Sequence, residues 1–270
     1  MFKKTVSLIL VALCLLLACA PKERALNMVV IPADDELSTQ ERYQPFIDYI
    51  EAGIGMPVNL ISAADYAVVV EAMKYGHADI ARFGPMNYVQ ATEEAEVEPL
   101  VVAYKKNNGQ PFYNSVIISR SDLEDLNGAT FAYVDPGSAS GYGVPSVYIR
   151  DNGIELGEIL FAGSHPAVIE AVKNGSVDAG AVADNRWFTA LLEGAVTTDT
   201  VKVFATSDPI PNTLWAVQSD MDPELRKDLL ITFQNMPEDL VYALGTGESR
   251  FVIAYDADYD VMRDVLEILD

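Results

Sequence analysis

Short apolar runs that read as strands alternate with longer stretches of helical spacing along most of this 270-residue chain. Leu26-Asn27-Met28-Val29-Val30-Ile31 reads as a strand ended by Pro32, and residues 41–52 follow with Tyr43, Phe46, Ile47 and Ile50 on one helical side. Residues 58–61 form a second strand and 66–75 a second helix, stopped by Gly76. Residues 78–81 form a short buried strand leading to Phe83-Gly84-Pro85. Strands joined in turn by helices line up in a mostly parallel sheet with helices packed on its faces, so the expected class is α/β. The pattern then restarts. Residues 100–104 are apolar and extended, 105–111 make a polar turn, and 112–118 open a new strand set. Residues 131–182 give strand, turn, helix, strand, helix (165–174) and strand (179–182). Strands at 201–205 and 214–217 and helices from Pro223 and Asp258 close the chain.

The restart has an echo in the residues themselves. Ala72-Met73-Lys74-Tyr75-Gly76-His77-Ala78-Asp79-Ile80 is repeated in outline by Ala171-Val172-Lys173-Asn174-Gly175-Ser176-Val177-Asp178-Ala179. Each reads as a helix end, a glycine stop and an aspartate before a short strand. Two similar lobes are therefore expected rather than one continuous sheet, and the chain is long enough for both.

Phe2-Lys3-Lys4 is a basic start, residues 6–17 are apolar, and Leu16-Leu17-Ala18-Cys19 closes the segment. A dozen apolar residues are too few to span a bilayer, so residues 1–18 are expected to be a cleaved export signal. The tetrad resembles the bacterial lipobox, which implies a lipid on Cys19 and a tether over residues 19–24. The other reading is a plain signal peptide that happens to contain Cys19. Cys14 lies in the removed segment, so no internal disulfide is expected and stability must come from the core.

Forty Asp and Glu face 18 Lys and Arg, a net charge of −22. That argues against nucleic acid as a partner and against a polybasic membrane contact. It does not exclude an anionic ligand, because surface carboxylates are screened beyond roughly 8–10 Å while donors in a closed cleft act at contact.

One turn carries chemistry. Asp135-Pro136-Gly137-Ser138-Ala139-Ser140-Gly141 stands between the strand at 129–134 and a segment, 144–152, that can continue as a helix. Small hydroxyl residues at a strand-to-helix turn set serine oxygens beside orphan backbone N–H groups at the positive end of the helix dipole, a fit for a tetrahedral oxyanion. An ordinary N-cap would look the same. His165, a serine and Asp184 could be drawn as a hydrolytic triad, but no Gly-x-Ser-x-Gly elbow is present. His77 and His165 are the only histidines, so no metal site, cofactor or catalytic group is expected, and His77 should face solvent. Arg82 can approach a cleft or pair with an acid. Trp187 and Trp215 read as core or hinge residues.

Several pieces together resemble the PhnD-like substrate-binding proteins of ABC importers for phosphonate, phosphite or phosphate. They are Val30-Ile31-Pro32, residues 66–73, Ala78-Asp79-Ile80-Ala81-Arg82-Phe83-Gly84-Pro85, Tyr113-Asn114-Ser115-Val116-Ile117-Ile118, residues 135–141 with Pro145, Gly163-Ser164-His165, and Ser207-Asp208-Pro209-Ile210-Pro211. The resemblance implies a two-lobed periplasmic binding protein of type II joined by two crossover strands. Residues 25–110 and 207–270 would form lobe 1, and 111–206 lobe 2. It implies a small phosphorus oxyanion as ligand, an ABC permease as partner, a monomer, and membrane attachment through the lipid alone. A sensory lipoprotein with the same cleft is the alternative. Matched residue by residue, its oxyanion site falls on Tyr66, Tyr113, Ser138, Ala139, Ser140 and His165, with Asp184 and the Gly141 amide as further candidates, and needs no lysine or arginine. Tyr66 and Tyr113 could equally be a packed helix-start aromatic and a sheet-edge residue. Where amine-binding relatives carry an acid after the Ile-Pro turn, this chain has Asn212-Thr213, which favours a ligand without an amine.

Overall fold

A computed structural model describes residues 24–31, 36–106, 109–245 and 247–269. The expected signal segment, Cys19, most of the tether and Pro32 lie outside them. The chain runs β1 (Leu26–Val30), α1 (Glu36–Ile54), β2 (Val58–Ser62), α2 (Tyr66–Lys74), β3 (Ile80–Phe83), α3 (Pro85–Glu94), β4 (Val97–Lys105), β5 (Phe112–Tyr113) and β6 (Ser115–Arg120). It continues with β7 (Phe131–Tyr133), a π-helical turn (Ala139–Gly143), α4 (Val144–Asp151), β8 (Ile159–Phe161), α5 (His165–Lys173), β9 (Ala179–Ala183), α6 (Asp184–Leu192) and β10 (Val201–Thr206). Then come β11 (Ile210–Pro211), β12 (Leu214–Gln218), α7 (Pro223–Gln234), α8 (Glu238–Ala243), β13 (Glu248–Ile253) and, after a 3₁₀ turn at Asp256–Tyr259, α9 (Asp260–Leu269). Among the described residues no helix is long and apolar enough to cross a membrane.

The strands form two main sheets, ordered β13-β4-β12-β3-β1-β2 and β10-β6-β9-β7-β8, flanked by helices. The two-lobed α/β class is as expected, but the sheets are mixed rather than mostly parallel. Parallel pairing is confined to β2-β1-β3 and to β8-β7-β9. The reason lies in the crossovers. β3 and β4 end at the cleft between the lobes, whereas β12 and β13 begin there, so each returning strand pairs antiparallel. In the second sheet β6 starts at the cleft and pairs antiparallel with β9 and β10.

The internal echo has a structural meaning. Asp79 accepts the amide of Asn27 at 2.8 Å and Asp178 that of Thr130 at 2.9 Å, so each aspartate pins the start of the neighbouring strand of its own sheet. Gly76 and Gly175 end the preceding helices at φ of 66° and 77°, a conformation glycine adopts without cost.

Each sheet carries core on both faces. Beneath α1 and α7, Phe46 stacks on Trp215 with centroids 5.4 Å apart, and Phe233 meets Phe251 edge-on at 5.1 Å. Burying each such ring stabilises by about 1.5–3 kcal/mol, so apolar packing holds the helices α1 and α7 onto this face of the six-stranded sheet. Trp187 and Trp215 are both buried, and His77 is exposed. Between the lobes β5 pairs with β11, Tyr113 opposite Ile210 and Phe112 opposite Pro211. Asn114 Nδ2 donates to the Ser207 carbonyl at 2.8 Å, the Ser115 amide donates to Ser207 Oγ at 2.9 Å, and the Asn212 amide donates to the Pro111 carbonyl at 2.8 Å. This short ladder ties the two crossovers together.

Candidate functional site

Five helices begin at one cavity between the sheets. Its lining includes Tyr66 of α2, Gly84 and Pro85 at the start of α3, Ser138, Ala139 and Ser140 of the π turn that leads into α4, Ser164 and His165 of α5, and Asn185 and Arg186 of α6. Each follows a strand or strand-end turn, which turns the positive dipole ends of the helices toward the cavity, although several first-turn amides are already taken: Val68 by Asp65, Ala167 by Ser164, Asn185 by Asp184 and Arg186 by Asn185. The volume is about 60 Å³. A single water needs roughly 10–15 Å³ on this measure, so the space takes a small molecule rather than one water.

Six residues matched through the resemblance line this cavity together: Tyr66, Tyr113, Ser138, Ala139, Ser140 and His165. Asp65 caps α2 by accepting the Val68 amide at 2.9 Å, and Asn87 Nδ2 donates to the Tyr66 carbonyl at 3.1 Å, so Tyr66 is held at both sides of its backbone. Ser138 Oγ accepts the Gly141 amide at 3.1 Å, which leaves its own proton to give. Ser115 Oγ fixes the turn from β6 by donating to the Ser140 carbonyl at 2.7 Å. The amides of Ala139 and Ser140 open the helical turn and have no intrahelical acceptor. Burial raises the Tyr66 and Tyr113 phenols above their ordinary values, partly offset by the Ser138 and Ser140 hydroxyls. Both stay protonated and able to donate.

Gly141 and Asp184 stand elsewhere. The Gly141 amide is spent on Ser138, and a Cβ there would sit 2.4 Å from Val134 Cγ2, so this glycine serves close packing. Asp184 lines a neighbouring groove with Phe112 and Phe188, and it is Asn185 that reaches the cavity. His165 also differs from a chargeable ligand group. Its Nδ1 accepts the Ala183 amide at 3.2 Å, and burial, with the Arg186 guanidinium adding to it, pushes its pKa down to about 3. The ring is neutral with its proton on Nε2, and Nδ1 holds no proton for an aspartate, so the hydrogen bond of a hydrolytic triad is not made.

The resemblance implies a site that needs no lysine or arginine, yet three basic residues stand at this cavity. Arg82, Lys105 and Arg186 all line the cavity, together with Glu248. Arg82 donates to Glu248 Oε1 at 3.1 Å and Oε2 at 3.3 Å, to Thr213 Oγ1 at 3.2 Å, and to Tyr43 at 3.2 Å. Arg82 thus both approaches the cleft and pairs with an acid. Lys105 Nζ lies 3.7 Å from Glu248 Oε1, and burial draws its pKa down to about 8, Glu248 raising it while Arg82 and Arg186 lower it further. Arg186 crosses the cleft to donate to the Gly245 carbonyl at 3.4 Å. Asn212 and Thr213, after the Ile-Pro turn, also face the cavity, and both donate to Glu248. Sequence reading missed Glu248 because 248–253 begins with three polar residues; only Phe251-Val252-Ile253 hinted at a strand. Among the described residues no cluster of metal-binding type occurs.

Two mixed α/β lobes closed on a polar cavity at their crossovers define a periplasmic-type binding protein. Residues 28–259 match the family of periplasmic substrate-binding proteins of phosphonate ABC transporters, and the chain belongs to that family. Its place is accordingly extracytoplasmic, as the substrate-binding part of such a transporter. The chain is 30% identical, over 90% of its length and 85% of the relative's, to the phosphate-import protein PhnD of Mycolicibacterium smegmatis. A binding component of a phosphonate ABC transporter from Pseudomonas aeruginosa has the same fold, with a TM-score of 0.83 at 22% identity over 92% of this chain and 87% of that one. PhnD1 of Prochlorococcus marinus in complex with methylphosphonate superposes at a TM-score of 0.81 and 20% identity, over 91% and 98% of the two chains.

Proposed function

We propose that the cavity captures a small phosphorus oxyanion without an amine, namely phosphate, phosphite or a small alkylphosphonate, and that the protein delivers it to the permease of an ABC importer. The convergence of five helix starts and several buried hydroxyls on a space of about 60 Å³ carries this reading. Tyr66, Tyr113, Ser138, Ser140, the Nε2–H of His165 and the amides of Ala139 and Ser140 act as its donors. An ammonium group is disfavoured because Glu248 is already engaged by Arg82 and Lys105, so another cation would meet repulsion from those two and from Arg186. The relative named for phosphate import and the neighbour holding methylphosphonate agree with this ligand class. In the same proposal residues 111–206 move as one lobe against 25–110 and 207–270. Cys19 carries the lipid that tethers a monomer to the membrane.

Calorimetric titration of ligand-stripped protein with phosphate, phosphite, methylphosphonate and 2-aminoethylphosphonate tests the reading. One of the first three binds, and the amine-bearing ligand binds far more weakly. Ser140→Ala and Tyr113→Phe each lower affinity roughly ten- to a hundredfold, the effect of removing one buried donor to an anion. Heat from none of the four ligands, or unchanged affinity in both variants, overturns it.

A further inference from the structure

The cavity wall opposite the serine turn is the cleft edge of four adjacent strands. β3 supplies Arg82, the entry to β12 supplies Asn212 and Thr213, β4 ends at Lys105, and β13 begins at Glu248. Lys105 and Glu248 are register partners, so strand pairing itself brings the two charges together. Glu248 is fully buried, and its oxygens take hydrogen bonds from Arg82, Thr213 and Asn212. At 3.7 Å the Lys105 contact is a charge pairing rather than a hydrogen bond. The ammonium lies 5.7 Å from the centre of the Tyr113 ring, and the Tyr113 phenol meets the Ser140 hydroxyl. Lys105 therefore stands one side chain away from the serine turn, 5% exposed.

We propose that Lys105, positioned by Glu248, reads the fourth substituent on phosphorus and selects an oxygen there, so that the protein takes inorganic phosphate in preference to phosphite or methylphosphonate. This rests on the cavity being the phosphorus-oxyanion site. Three oxygens are common to all these ligands, and the serines, tyrosines, His165 and first-turn amides serve them alike. The fourth position differs: oxygen in phosphate, hydrogen in phosphite, carbon in methylphosphonate. An oxygen there accepts from the ammonium, while hydrogen or methyl offers it nothing. The charged groups acting on Lys105 are Glu248, Arg82, Arg186 and Asp184, and its ammonium sits over the Tyr113 ring, so a ligand oxygen rather than a hydrogen or methyl group answers it. Arg186 adds attraction for any anion and does not distinguish among the three.

Titration of the wild type with phosphate, phosphite and methylphosphonate, repeated on Lys105→Met and Lys105→Arg, tests the role of this lysine. The wild type is expected to bind phosphate at least about tenfold more tightly than methylphosphonate. Lys105→Met erases that ratio through lost phosphate affinity, and Lys105→Arg, which keeps the charge, retains part of it. Circular dichroism checks folding; if Lys105→Met does not fold, the wild-type ratio and its reduction in Lys105→Arg distinguish the outcomes. Equal weakening of all three ligands, or a wild type that favours phosphite or methylphosphonate, overturns the role of Lys105 and leaves the oxyanion site standing. A wild type that binds none of the three removes the site and this inference with it.

Discussion

The imidazole of His165 takes a backbone N–H on Nδ1 and so carries its proton on Nε2, facing the cavity. Protonating Nδ1 would set two N–H groups against each other, in a buried place already under the field of Arg186. His165 is thus a fixed donor and not a charge that follows the ligand. Nitrogen-detected NMR should find it neutral, in the Nε2–H form, from pH 8 down to pH 5. A midpoint near the ordinary value of about 6.5 would contradict this account. The stability consequence has a definite sign. An unfolded histidine binds its proton near 6.5, and the folded one only near 3. The stabilisation is complete above pH 6.5 and is lost as pH falls toward 3. Buried charges at the same site show the limit of reading single residues. Arg82 was legible as a residue at the cleft, but its carboxylate partner is remote in sequence, and only the strand order β13-β4-β12-β3 brings them together.

The π turn at Ala139–Gly143 depends on a glycine for packing rather than for its backbone angle. A methyl group on Gly141 would lie 2.4 Å from Val134 Cγ2, 2.5 Å from Val134 Cβ and 2.9 Å from Ser138 Oγ. Gly141→Ala should therefore push the serine turn off β7 and cost about 1–3 kcal/mol, as overpacking does. Denaturant melts and titrations should show lower stability and weaker ligand binding together. Normal values for both would mean that the turn relaxes freely. The strands and helices with clear periodicity, and the serine turn itself, could be read from residues alone. α6 could not, because β9 runs into it at Asp184 without a loop. α3 was harder to read: Pro85, Met86, Asn87, Tyr88, Val89 and Ala91 are all buried, so its first turns expose little, and only Glu93 and Glu94 at its end stand in solvent. β13 starts with a buried glutamate and a register shift between Glu248 and Arg250, which breaks the alternation that announces a strand. The mixed sheets follow from the direction in which each crossover returns to the cleft, a property of chain path that local spacing does not encode.

For the molecule as a whole, the proposed movement of one lobe against the other would open and close the cavity, and one position at the seam can test that motion. Gly137, at the serine turn, meets Tyr66 of α2 across the cleft; a Cβ on Gly137 would sit 2.7 Å from Tyr66 Cβ and 3.3 Å from Tyr66 Cδ1. Those atoms stand close to the helix backbone and cannot swing away as a flexible side-chain end could. Arg150 also reaches from α4 to the Ile268 carbonyl of α9 at 3.1 Å, and Arg186 reaches Gly245, so the lobes touch at several points in this closed arrangement. Gly137→Ala removes no proposed ligand donor but opposes the approach of Tyr66 to the serine turn, and so raises the free energy of the closed form. Apparent affinity falls by the fraction of molecules still able to close. We expect a loss of roughly tenfold or more, since a contact under 3 Å must be relieved by backbone movement costing on the order of 1–3 kcal/mol. Without ligand, the thermal midpoint should match the wild type, as the proposed parting of the lobes would relieve the clash. Small-angle scattering should show ligand-induced compaction in the wild type and less of it in the variant. Wild-type affinity in Gly137→Ala would mean that the ligand is held without the Tyr66 side of the cleft drawing in. A lowered midpoint without ligand would instead place the clash in the resting state and show that the closed arrangement forms before any anion arrives.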